Sequence, residues 1–200
     1  MSPCRFIDWD KALVVPALTT VVGRAALGDL GFGSGIVTLT NAVRPHLGAQ
    51  PGLGRNPPWD VIPCCVDLEH FRFDAVARAR VRESLGLAAS DLLLVYSGSI
   101  GTWYSTETAI RAARDHAGAF LLFLTFTPQD VIDAPCATEG LPRTRYAVRA
   151  ATRAEMPPYL SAADVSLCPV RPSLSKKASS PTKVAESLAC GLPVVGFRGV

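Results

Sequence analysis

Residues 91–96 read DLLLVY and residues 120–126 read FLLFLTF. Neither run alternates. A strand with one face in water alternates apolar and polar side chains, whereas a strand apolar at every position is buried on both faces. That is the condition of a parallel sheet covered by helices on each side. Working outward, the intervals supply the helices. Ser105 is a good N-cap for a helix that ends before Gly118. Residues 74–85 form a second helical stretch, with Gly86 as its left-handed stop. Further along, residues 146–150 read as a weaker strand, 155–162 as a short helix and 164–170 (DVSLCPV) as a strand. A helix follows at 181–190 and a last strand at 193–197 (PVVGF). Residues 127–144 show no regular pattern. Strand–helix alternation from 91 to 197 predicts an α/β fold: a Rossmann-like parallel sheet with helices on both faces.

Upstream the pattern is looser. Residues 35–40 (GIVTLT) read as a buried strand, Asn41 as an N-cap, and 42–47 as a short helix broken by Pro45. Residues 48–58 (GAQPGLGRNPP) are a Gly/Pro-rich loop. Residues 60–66 (DVIPCCV) read as a strand that Pro63 confines to an edge or a bend. Residues 67–75 form a crossing segment. In residues 1–35, Pro16 interrupts an apolar run and Gly28, Gly31, Gly33 and Gly35 break the rest. The apolar stretch 12–23 (ALVVPALTTVVG) follows Asp8 and Asp10, where a secretory signal would carry positive charge, so it is not read as one. No run approaches the ~18 apolar residues of a membrane span.

The chain has 200 residues, 48% hydrophobic and 18% charged. This composition excludes a disordered chain, and six cysteines in that length exclude a disulfide scaffold. No Cys-x-x-Cys pair and no Cys/His pair at zinc spacing exists, so the cysteines read as reduced thiols in a cytosolic setting. A net charge of +3 is too mild to argue for a nucleic-acid partner. Sixteen of the basic residues are Arg and four are Lys, and Lys176, Lys177 and Lys183 fall close together, either as a solvated loop or as an anion-facing one.

In a doubly wound sheet, ligands bind beyond the carboxyl ends of the strands. Two loops qualify. Ser97-Gly98-Ser99-Ile100-Gly101 follows the 91–96 strand, and its small residues let a ligand approach the backbone. A plain tight turn fits the same spacing. Ser179-Ser180-Pro181-Thr182-Lys183 opens the 181–190 helix, with Ser180 as N-cap and Pro181 at the first helical position. Its amides and dipole suit a phosphate, and Lys183 adds charge. Glu186 shares a face with Thr182, where it can accept ribose hydroxyls, while Val184 and Leu188 make the opposing apolar contact. An ordinary capped helix with a solvated Glu fits the same residues. His46, His70 and His116 are scattered, with His116 in the last turn of its helix. Trp9, Trp59 and Trp103 read as packing residues. No Asp-x-Asp pair supports a divalent metal.

The segment SSPTKVAESLACGLPVV (179–195) resembles the donor-binding helix of family-4 glycosyltransferases of the GT-B type. VIPCCVDLEHF (61–71) resembles the stretch where their chains pass from the first domain to the second. LLLVYSGSIGTWY (92–104) resembles the first strand and loop of the second domain, and YLSAADVSLCPV (159–170) the unit before the donor site. The resemblance covers about residues 36–200. It implies an incomplete GT-B fold, with residues 1–69 ending a first Rossmann-like domain and 70–200 forming most of a second, nucleotide-sugar-binding domain. It implies transfer of a sugar from a nucleotide sugar to an acceptor (saccharide, lipid-linked or small molecule), with retention, no metal and no cofactor. By the same resemblance Glu186 bonds the ribose, the amides from Ser180 through Thr182 to Lys183 face the diphosphate, and Gly98 and Ser99 lie close to diphosphate and sugar. A cytoplasmic location is expected, with peripheral attachment to the inner membrane face through the missing domain, or completion by the other half of the enzyme.

The sequence departs from that family at three points. Many members hold an Arg and a Lys on the diphosphate where this chain has Ser99 and, by spacing, Tyr104. Many hold a Glu eight residues before Glu186, where this chain has Ala178. These departures leave Lys176, Lys177 and Lys183 as substitutes, and they favour a second reading: a non-catalytic nucleotide-sugar-binding module.

Overall fold

The computed structural model describes residues 12–14, 35–48 and 59–198. Cys4, Trp9, most of the 12–23 stretch and residues 49–58 lie outside these. The described residues divide into two compact units. One takes those up to Cys64 together with Pro172–Ser180, and the other takes Cys65–Arg171 with Pro181–Arg198.

The first unit holds a parallel sheet of β1 (Ala12–Val14), β2 (Gly35–Thr38) and β3 (Trp59–Val61). Strand β2 ends two residues earlier than expected, and Thr40 rather than Asn41 precedes a 3-10 turn. Helix α1 (Arg44–Gly48) then places Pro45 at its second position, where a missing amide costs nothing, so Pro45 starts this helix instead of breaking it. Strand β3 is also short. Ile62 N still donates to Thr38 O at 2.8 Å, but Pro63 has no amide to continue the ladder. The indole of Trp59 donates to Thr38 Oγ1 at 3.1 Å.

The second unit is the α/β fold anticipated from residues 91–197. Its elements are α2 (Ala75–Ser84), β4 (Leu92–Ser97), α3 (Thr106–Asp115), β5 (Ala119–Leu124), α4 (Gln129–Thr138), β6 (Tyr146–Arg149), α5 (Met156–Ala162) and β7 (Val165–Cys168). The four-residue α6 (Leu174–Lys177) belongs to the first unit, and α7 (Thr182–Ala189) and β8 (Val194–Gly196) complete the second. All five strands are parallel, in the order β6-β5-β4-β7-β8. This is a Rossmann order, with its reversal between β4 and β7.

The unbroken apolar runs explain two cores. On one face Leu93 and Val95 of β4 and Leu122 and Leu124 of β5 pack with Phe71, Leu160 of α5 and Cys190. On the other, Leu94, Tyr96, Leu121 and Phe123 pack with Ala109, Ile110 and Ala113 of α3 and with Ile132 and Cys136 of α4. Helix α4 falls in the stretch without a sequence pattern. Pro135 hides it, yet Ile132 and Cys136, one turn apart, are fully buried and anchor it.

Helix α2 stops before Gly86 as expected, but it starts one residue later, because Asp74 is its N-cap. Asp74 accepts from Val76 N and Ala77 N at 2.8 and 2.9 Å, and Gly86 has φ +70°. Ser105 precedes α3, but its hydroxyl turns to Glu107 Oε1 and Thr108 Oγ1. His116 lies past the end of α3, and Arg114 takes the last-turn position expected of it.

Strand β8 depends on one glycine. A Cβ built on Gly196 would lie 2.7 Å from the backbone oxygen of Cys168 on β7. Gly196→Ala is therefore expected to lower stability by about 1–3 kcal/mol, the usual cost of overpacking. The check is the urea midpoint at unchanged slope, and a midpoint equal to wild type would contradict the close approach.

Candidate functional site

The carboxyl ends of β4, β5 and β6 and one wall of α7 enclose a cleft of about 550 Å3. That volume falls within the ~300–1,000 Å3 typical of ligand pockets. Ser97, Gly98 and Ser99 line it after β4, Thr125, Phe126 and Thr127 after β5, and Ala151, Arg153 and Met156 after β6. Thr182, Lys183 and Glu186 line it from α7.

The loop after β4 is built by short-range chemistry. Gly98 has φ +118°, a conformation that only glycine adopts without strain, and its amide donates to Leu124 O at 2.9 Å. The buried Tyr96 donates its hydroxyl to Ser99 O at 2.7 Å, tying the loop to the core. Burial pushes that phenol far above its ordinary range, so it stays protonated. Ser97 is 4% exposed and its hydroxyl has no hydrogen-bond partner, an open polar group at the edge of the cleft. Trp103–Ser105 is stitched to the end of β7. Ser105 N donates to Pro169 O at 2.8 Å, Arg171 N donates to Trp103 O at 2.9 Å, and Tyr104 pairs with Val170.

Helix α7 begins one residue later than expected. Pro181, with ψ 115°, is its N-cap, and no side-chain oxygen caps it. Ser180 is therefore not the cap. Its hydroxyl accepts from Cys64 N at 3.2 Å within the first unit. The apolar contact expected of Leu188 is not made, because Leu188 is 59% exposed. The helix instead buries Ser187, which donates to Ser166 Oγ of β7 at 3.0 Å. With that face inward, Thr182 and Glu186 share the cleft wall, one turn apart as anticipated.

Lys183 reaches across to the β4 loop and donates to Ser97 O at 2.8 Å. Its ammonium lies 4.2 Å from the centre of the Tyr104 ring and 5.5 Å from that of Tyr96. Glu186 is mostly buried, with Oε1 3.9 Å from Nε of Arg153. The Arg153 guanidinium also lies over the ring of Phe71, at 5.4 Å.

Of the six site residues read from the sequence, the structure gathers five in this cleft: Gly98, Ser99, Thr182, Lys183 and Glu186. Ser180 belongs to the first unit, as do Lys176, Lys177 and the buried Ala178. Sequence reasoning missed Arg153, Phe126 and Met156. Arg153 had a signal, because Thr152-Arg-Ala-Glu155 is a capping box in which Glu155 accepts from both Thr152 N and Thr152 Oγ1. Phe126 was expected inside the strand, but β5 stops at Leu124 and leaves Phe126 74% exposed at the cleft wall.

Among the described residues no three His, Cys, Asp or Glu side chains cluster to hold a metal ion. Within the same residues no helix is long and apolar enough to cross a membrane. All five described cysteines are thiols.

No family model matches the chain, and no curated protein matches its sequence. Solved structures do match in fold. WaaG, a glycosyltransferase involved in lipopolysaccharide biosynthesis, aligns with TM-score 0.70 at 15% identity, over 87% of this chain and 47% of that one. HepE of Anabaena, solved with UDP-glucose, aligns with TM-score 0.68 at 19% identity, over 88% and 49%. A glycosyltransferase from Rickettsia africae aligns with TM-score 0.74 at 11% identity, over 94% and 52%. These likenesses establish a glycosyltransferase-like fold. The chain spans about half the length of the structures it matches.

Proposed function

We propose that the second unit binds a nucleotide sugar and serves as the donor domain of a family-4 glycosyltransferase, retaining and metal-independent, acting on an acceptor held elsewhere. One observation carries this reading: the β4 loop, Thr182, Lys183 and Glu186 line the same cleft at the carboxyl edge of the sheet. In this reading Glu186 accepts hydrogen bonds from the ribose hydroxyls. Lys183 and the first turn of α7 face the diphosphate. Phe126, Met156 and Ala151 give the apolar wall against which a base would lie. Departure of the diphosphate is then assisted by donors already fixed around it, without a protein nucleophile. The presence of UDP-glucose in HepE supports the nucleotide class. A cytoplasmic site of action, with attachment to the inner membrane face through another domain, is part of the same proposal.

A second reading has its own support. Ser99, Tyr104 and Ala178 stand where the resembled family holds charged donor contacts, and this favours a nucleotide-sugar-binding module without turnover. Incubation with UDP-glucose and other nucleotide sugars separates the two. Release of nucleoside diphosphate above the rate of a Glu186→Ala control supports the transferase. Binding with no release supports the module.

A further inference from the structure

Lys183 does not simply project from α7. Three features converge on its ammonium: the carbonyl of Ser97 at 2.8 Å, the face of Tyr104 at 4.2 Å, and the missing side chain of Gly98. A Cβ on Gly98 would lie 2.9 Å from Nζ, so the ammonium occupies space that any other residue would take. Tyr104 is itself fixed. Its amide donates to Gly101 O at 3.0 Å, its backbone pairs with Val170, and its half-buried side chain packs against the core that holds Tyr96 and Ile110.

A lysine on a four-carbon stem loses rotamer freedom when its charge meets an anion, and a prepared seat removes that loss in advance. A carbonyl oxygen and an aromatic face hold an ammonium through partial charges, fixing its position at the wall of the cleft. We propose that Tyr104 is a positioning residue. Its ring seats Lys183 beside the Ser97–Ser99 loop, so that the phosphate groups of the bound nucleotide meet a cation already in place. This rests on the nucleotide reading above, and it assigns a role to a side chain that does not itself line the cleft.

The test is a set of dissociation constants for UDP, GDP and ADP and their monophosphates. Tyr104→Leu is expected to weaken diphosphate binding about 3- to 30-fold, the range of cation–π contributions, and monophosphate binding less. Tyr104→Phe keeps the ring and should bind as wild type. In a Lys183→Ala background, Tyr104→Leu should change affinity by less than about twofold, since coupled residues are non-additive. If Tyr104→Leu fails to fold, stepwise fluorination of Phe at position 104 keeps the shape and drains the ring face, and affinity should fall with each fluorine. Wild-type affinity in Tyr104→Leu or in the fluorinated series overturns the proposal, as does a Tyr104→Leu loss that persists undiminished without Lys183. If the wild-type chain binds no nucleotide at all, the functional reading itself falls, and this inference with it.

Discussion

Asp164→Ala is expected to lower the stability of the second unit by about 1.5–3 kcal/mol, the worth of hydrogen bonds to a charged group, because Arg82 is buried but the carboxylate is only partly so. The reason lies in how α2 docks. Its inward side offers two arginines at i, i+4. Arg78 Nη2 bonds Asp164 Oδ1 at 2.6 Å, and Arg82 Nη1 bonds Asp164 Oδ2 at 3.2 Å. Arg82 is 4% exposed, and its guanidinium also donates to the carbonyls of Ala88, Ala162 and Asp91. Asp164 Oδ2 accepts from Leu93 N at 2.8 Å as well, joining the helix to the first residues of β4. Removing the carboxylate leaves the buried Arg82 cation without its counter-charge and the Leu93 amide without its acceptor. Against a total stability of roughly 5–15 kcal/mol, such a loss is large. It should appear as a drop in the urea midpoint at unchanged slope. A loss below about 1 kcal/mol, the range of surface pairs, would contradict the account.

The same carboxylate sets a pH dependence. Burial alone would raise the pKa of Asp164, but the bonds from Leu93 N and the two guanidinium groups outweigh it, and the group sits below its ordinary value. A depressed pKa contributes stability that is present above the unfolded value near ~3.9 and is lost as pH falls through the folded one. Stability should therefore decline from about pH 4 downward. Part of that decline should vanish in Asp164→Asn, measured as the urea midpoint against pH.

The second large effect is functional. Glu186→Ala should weaken nucleotide binding by about 1.5–3 kcal/mol, the worth of hydrogen bonds to a charged group, or roughly 10- to 100-fold in Kd. The fold should hardly notice. The Glu186 contact with Arg153 spans 3.9 Å, and Arg153 is mostly exposed, so the pair belongs to the weak class. A calorimetric titration reads the affinity and a thermal midpoint reads the fold. Unchanged affinity would remove Glu186 from the site. Lost affinity with a collapsed midpoint would mean that Glu186 supports the fold, not the ligand.

Much of the fold was legible in the sequence, because continuous apolar runs have one common physical cause. DLLLVY and FLLFLTF read as strands buried on both faces, and Leu93 and Leu94 of β4 do enter opposite cores, although β5 ends before Phe126. What escaped was set by tertiary contacts. Helix α4 carries Pro135 and little periodicity, so its anchors are seen only once the β5 face exists to bury them. The N-cap of α7 moved from Ser180 to Pro181 because the serine hydroxyl has another partner, Cys64 N, far away in the chain. Leu188 looked like a core residue by spacing, yet the inward face of α7 is set by Ser187 bonding Ser166, a polar contact that hydrophobic patterning cannot find. In the site, the spacing of Thr182 and Glu186 was readable because a helix has a fixed period. The cradle around Lys183 was not, because it joins residues 97, 104 and 183 through the order of the strands.

The central claim is that the cleft above β4 holds a nucleoside diphosphate. It is tested most directly by the thermal midpoint of the full chain with UDP, GDP or ADP, and of Glu186→Ala under the same conditions. A ligand at 100 times its Kd adds about 2.7 kcal/mol. The account predicts a clear upward shift with at least one of the three, and a much smaller one in Glu186→Ala. No shift with any of them would contradict it.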